Sequence, residues 1–131
     1  MIVTDEIKQK VAGLARKHDL SLVALFGSQA TGRTHARSDL DLAVLSGKEV
    51  NRARLALEFD AIFGRGDTEV VDLRSASPTL SREVVSDGKL LYESEEEVFF
   101  RWKLYAIKIW METKWLRDLA DKKALEWAKT L

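Results

Sequence analysis

Apolar residues recur along this chain in two periods, one helical and one alternating, and the switches between them mark the elements. Thr4 precedes Asp5 and Glu6, and Ile7, Val11, Leu14 and Ala15 follow at helical spacing, which predicts a capped amphipathic helix ending near Lys17 and His18. The run LSLVALF over 20–26 is rich in branched and aromatic residues and reads as a buried strand. GSQATG interrupts it, and DLDLAVL over 39–45 reads as a second strand. Alternation puts Asp39, Asp41 and Ala43 on one face and Leu40, Leu42 and Val44 on the other. A second helix is predicted from Val50 to Phe63, stopped around Gly64 and Gly66, and TEVVDL over 68–73 is a third strand. A helix after Pro78 to about Ser86, a turn and short strand in GKLLYES, and one long helical segment from near Glu95 complete the chain.

This order of elements predicts an α/β (α+β) class domain with a small sheet flanked by helices. Residues 1–94 form the expected core and 95–131 a C-terminal helical extension packed on it, within a single domain. A length of 131 residues with 46% apolar composition fits one ordinary core. The extension carries Phe99, Phe100, Trp102, Leu104, Tyr105, Ile107, Trp110, Met111 and Trp115 interleaved with Arg101, Lys103, Lys108, Lys114 and Arg117. One stripe is expected against the sheet and the rest under the stems of those cations; a partner surface is the alternative.

Charge and composition narrow the chemistry. Lys plus Arg equals Asp plus Glu at 21 each, so no general attraction to nucleic acid or anionic lipid is expected. There is no cysteine, and His18 and His35 are the two imidazoles, so a metal here would be a hard cation bound through oxygen. No secretory signal and no apolar run long enough to cross a bilayer is evident, and the cytoplasm is the expected location.

The stretch FGSQATGRTHARSDLDLAVL, residues 26–45, holds the candidate site. A carboxylate in an apolar strand must be paired, protonated or bound to a cation. If the third strand runs beside the second, Asp72 would lie about 5 Å from the column of Asp39 and Asp41, close enough to share an ion. Glu69 and Asp67 compete for that position, but alternation sets Glu69 on the face opposite Asp72. Magnesium takes such oxygen ligands together with substrate phosphates. Gly27 lets the backbone turn close to a phosphate, Ser28 offers a hydroxyl and N–H groups, Gly32 would close the loop, and Arg33 or Arg37 could screen a triphosphate. Each feature has a plainer reading. Asp-x-Asp also occurs as a solubilising strand edge, Asp72 could be a strand-end turn residue, His35 a solvated loop residue, and His18 a helix-terminal cation.

Gly27-Ser28, ten residues, Asp39-Leu40-Asp41 and then a separate strand with a further Asp resemble the signature of the polymerase-β-type nucleotidyltransferase superfamily. The pattern VDL…P.L…V…G..LY over 71–92 is similar to its minimal nucleotidyltransferase (MNT) branch, known as antitoxins encoded beside HEPN ribonuclease toxins. The resemblance covers roughly residues 5–92. It implies the nucleotidyltransferase fold, with a small mixed sheet, flanking helices and here a long C-terminal helix. It further implies ATP as substrate, two Mg2+ ions, and AMP transfer to a tyrosine of a cognate HEPN-type toxin. Asp39 and Asp41 match the metal-binding pair, Asp72 the third carboxylate, and Gly27 with Ser28 the phosphate loop; Gln29 stands where many relatives have Arg. A non-catalytic antitoxin that acts by binding, or a transferase of small molecules of the aminoglycoside type, are the alternatives.

Overall fold

The computed structural model describes residues 2–31 and 39–131. The expectations placed on Gly32, Arg33, His35 and Arg37 therefore lie outside the described residues.

Helix α1 (Asp5–Lys17) begins where the Thr4 hydroxyl accepts the Ile7 N–H at 3.2 Å, and its acidic first and basic last turns suit the helix dipole. His18 ends it and meets Glu58 of the third helix, which also takes the Lys17 ammonium at 2.9 Å. Strand β1 (Leu20–Phe26) leads through Gly27 into a single turn, α2 (Ser28–Thr31). Strand β2 (Leu40–Ser46) is followed by α3 (Arg52–Phe63), capped by Asn51 and closed by Gly64 in the left-handed region. Strand β3 (Thr68–Asp72), α4 (Pro78–Asp87) capped by Ser77, and strand β4 (Lys89–Glu93) complete the sheet and its cover.

The strand order is β3-β2-β1-β4. β1 pairs antiparallel with β2 and with β4, whereas β2 and β3 are parallel, joined across the sheet by α3. The sheet is mixed, as expected, and is covered on both faces. Val23, Leu25, Leu40, Leu42, Val44 and Val70 pack toward α1 and α3, around the fully buried Phe59. Leu22, Ala24, Phe26, Ala43 and Leu73 face the other way, against α4 and the next helix, α5 (Val98–Glu112). Both faces of β1 and β2 are thus apolar, which is why these strands read as nearly continuous hydrophobic runs.

The C-terminal segment differs from the single long helix expected. It forms α5 and then α6 (Lys114–Ala128), broken at Thr113. The Thr113 hydroxyl donates back to the Ile109 carbonyl at 2.6 Å and accepts from the Arg117 guanidinium at 2.7 Å, a local bonding pattern that competes with straight helix. Phe99, Trp102 and Ala106 of α5 are buried, while α6 buries none of its residues. Cationic stems cover only part of the aromatic surface. Arg117 and Arg82 lie over Trp110 at 3.4 and 5.1 Å, and Lys103 over Phe99 at 4.1 Å. Phe100 and Trp115 remain 58% and 67% exposed, contrary to the expectation that the cations would shield them.

Phe59 is the largest fully buried side chain and anchors α3 to the sheet. Phe59→Ala is expected to cost about 3–5 kcal/mol in urea unfolding, a large share of a small domain's stability.

Candidate active site

The register between β2 and β3 decides which carboxylates meet. Asp41 stands opposite Glu69, Ala43 opposite Val71, and Val44 opposite Asp72. Residues paired across neighbouring strands share a face, so Glu69, Val71 and Leu73 lie with Asp41, Ala43 and Leu45. Asp72 points to the α1 and α3 side. This corrects the expectation that Asp72 joins Asp39 and Asp41. Its carboxylate instead accepts the Arg74 N–H at 3.0 Å and its carbonyl accepts the Ser75 N–H at 3.1 Å, the strand-end turn role. It lines a separate surface cavity with Glu49, Val50 and Arg52.

Glu69 takes the vacated position. The inference that Glu69 and Asp72 oppose each other is correct; the error lay in which of them faces Asp41. Both Val70 and Val71 are apolar, so the strand carries no alternation signal that fixes its register against β2.

Asp41 is half-buried beside Phe26, its partner on β1. Its carboxyl is pushed up from 3.8 to about 6. Burial is the largest cause, followed by the charges of Glu69 and Asp39, a hydrogen bond with Glu69, and the charge of Glu83 on α4. Asp39, the residue before β2, is exposed and close enough to Arg65 to raise the guanidinium's pKa. Arg65 itself forks onto Asp67 at 2.7 and 2.6 Å. Each of these influences on Asp41 raises its pKa, so the centre is an acidic cluster under like-charge repulsion.

Gly27 closes the site from β1. It has φ +75°, and a Cβ built on it would lie 2.5 Å from Oδ2 of Asp41. Only glycine lets this backbone pass so close to the carboxylate. The Gly27 carbonyl accepts the Ala30 and Thr31 N–H groups at 3.1 and 3.2 Å, which winds α2 up directly behind the turn and holds Ser28 at its start. Gln29, the next residue, is buried at 6% exposure.

Among the described residues no group of three His, Asp or Glu side chains is gathered closely enough to hold a metal ion. The donor set nevertheless fits a hard divalent cation. Asp41 stands in register with Glu69, its own pKa is raised by burial and by the charges of Glu69 and Asp39, and a positive charge beside it would relieve that repulsion.

The family model described as "Polymerase beta, Nucleotidyltransferase" matches residues 9–97. The chain belongs to this nucleotidyltransferase family. Protein adenylyltransferase MntA of Shewanella oneidensis is 37% identical to it over 92 residues, 68% of this chain and 63% of the relative. Protein adenylyltransferase MntA of Aphanizomenon flos-aquae is 34% identical over 92 residues, 61% of each chain. The chain thus spans under two thirds of the length of these two curated relatives. A solved toxin-antitoxin structure with AMP-PNP matches at TM-score 0.78 and 29% identity, covering 90% of this chain and 98% of that one. A complex of tri-AMPylated Shewanella oneidensis HEPN toxin with MNT antitoxin matches at TM-score 0.71 and 27% identity, covering 91% and 96%. The nucleotidyltransferase fold expected from the motif is the fold observed.

The raised pKa carries a sign. The folded chain holds the Asp41 proton more tightly than the unfolded chain does, so this group's contribution to stability is complete below pH 3.8 and lost as pH rises through about 6. Asp41→Asn removes the repulsion. In the absence of divalent cations at about pH 7.5 the variant is expected to melt at higher temperature than wild type, and the gap to shrink as pH falls toward 4. Thermal unfolding across that range checks it; a gap that stays constant contradicts the electrostatic origin.

Proposed function

We propose that this chain is a protein adenylyltransferase that moves AMP from ATP onto a tyrosine hydroxyl of a cognate HEPN-type toxin and so acts as its antitoxin. The observation that carries the reading is the pairing of Asp41 with Glu69 directly under the Gly27 turn. The MntA relatives and the AMP-PNP and AMPylated-toxin complexes support the substrate and the partner.

In this reading Gly27 and Ser28 present the turn on which the triphosphate rests. Asp41, Glu69 and Asp39 are the residues that would hold magnesium, read here as two ions, which supply charge neutralisation on the phosphates. The tyrosine oxygen attacks the α-phosphorus, the bond to the bridging oxygen of pyrophosphate breaks, and the phenolic proton passes to Glu69. Asp72 takes no part in these steps. The cytoplasm, where ATP is supplied, is the proposed setting, and no direct contact with nucleic acid is required; among the described residues no helix is long and apolar enough to cross a membrane.

The purified chain, mixed with ATP and its HEPN partner, should add units of about 329 Da to the partner, read by intact-mass spectrometry. Asp41→Asn and Glu69→Gln should each lower the rate by about a hundredfold or more, whereas Asp72→Asn should stay within about threefold. Chelation of divalent cations should abolish transfer. No mass increase with any nucleotide would refute the catalytic reading. Equal losses at positions 69 and 72 would refute the assignment of Glu69.

The exposed apolar residues of α5 and α6 favour one second reading, neutralisation by binding alone. Asp39→Asn with Asp41→Asn separates the two, because neutralisation survives it only if binding suffices.

A further inference from the structure

The sheet face that carries Asp41 and Glu69 continues along β2 and β3 to Leu45 and Leu73. Asp41 and Leu45 are four residues apart on one strand, a run of about 13 Å. At the Leu45 end lies a cavity of about 500 Å³ between the strand ends and α5, lined by Leu45, Leu73, Arg74, Arg101, Trp102 and Tyr105. A smaller cleft of about 90 Å³ adjoins it, sharing Leu73, Arg74, Trp102 and Tyr105.

The chemistry of this cavity differs from that of the phosphate site. Its floor is apolar, from two leucines and the buried Trp102, and its exposed rim holds a phenol and two guanidinium groups. Among the described residues neither the Arg74 nor the Arg101 guanidinium meets a carboxylate, in contrast to Arg65, which is engaged by Asp67. The face is therefore polarised. Asp39, Asp41, Glu69 and Glu83 cluster at one end, and two cations stand at the other over a greasy floor.

We propose that this cavity is the docking site for the acceptor protein, and that it takes a segment carrying an apolar anchor flanked by Asp or Glu. The inference rests on the adenylyltransferase reading for its acceptor. An apolar side chain would fill the space over Leu45, Leu73 and Trp102, and carboxylates would pair with Arg74 and Arg101, where planar guanidinium groups favour bidentate contact. Arg, Trp and Tyr around a desolvated pocket are the residue types that concentrate binding energy in protein interfaces. Leu45 lies about 13 Å along β2 from Asp41, with the buried Ala43 between them, so an acceptor docked here needs a segment long enough to span that distance to bring its hydroxyl to the reacting phosphate.

The test uses the full chain and the purified HEPN partner. Arg74→Glu with Arg101→Glu reverses two exposed charges, and circular dichroism melting establishes that the variant is folded. Its affinity for the partner, by calorimetry, is expected to fall about tenfold or more, and KM for the partner to rise with little change in kcat. Arg74→Lys with Arg101→Lys should recover a substantial part of the affinity. Partner affinity within about twofold of wild type in the reversed variant overturns the proposal. A parallel loss of ATP affinity also overturns it, because the cavity then serves the nucleotide. If wild type binds the partner but transfers no AMP, the catalytic reading fails by itself, and the docking site stands or falls on the calorimetry alone.

Discussion

The hydrogen-bonded register of β2 with β3 is the constraint on which the site depends. In a parallel pair, a shift of one residue exchanges every side chain between the two faces of the sheet. The observed register sets Asp41 beside Glu69 and sends Asp72 into a turn on the other side. It is fixed from both directions. Val70 must enter the core formed with α1 and α3, while Leu73 must enter the core formed with α4 and α5, and the alternation of β3 satisfies both in one alignment. The Thr68 N–H, bonded to the Asp60 carboxylate at 3.0 Å, pins the start of the strand to α3.

Around that alignment the chain assembles a centre that is unfavourable by itself. A half-buried carboxyl faces Glu69 and feels Asp39 and Glu83, and its pKa rises because the charged form is poorly tolerated. The Gly27 turn passes close over it and leaves no room for a side chain. Such a cluster is maintained because apolar burial on both faces of the sheet supplies the stability, and in the proposed reaction its repulsion would be relieved by a cation. The guanidinium groups of Arg74 and Arg101, which meet no carboxylate among the described residues, give the Leu45 end of the same face the opposite polarity.

The C-terminal helices show how one segment divides its duties. Phe99, Trp102 and Ala106 seal the sheet, whereas the other sides of α5 and the whole of α6 keep aromatic and aliphatic residues in solvent. The break at Thr113 redirects the chain after α5 has finished its packing.

The amino-acid sequence alone determined the elements, because each rests on local chemistry. Thr4, Asn51 and Ser77 cap the helices that follow them, Gly64 closes α3, and the seven apolar-rich residues from Leu20 to Phe26 are the strand that was expected. The turn at Gly27 and the shared face of Asp41 and Ala43 were legible for the same reason. What the tertiary structure decided was the pairing of Glu69, and not Asp72, with Asp41, and the pocket between β2, β3 and α5; the split at Thr113 rests on local hydrogen bonds but carries no glycine or proline to announce it. Glu69 and Asp72 are both acidic residues of one short strand with two adjacent valines, and no periodicity within it says which side meets β2. Only packing against two different helical layers resolves that choice, since register is a property of the pair of strands and not of either one.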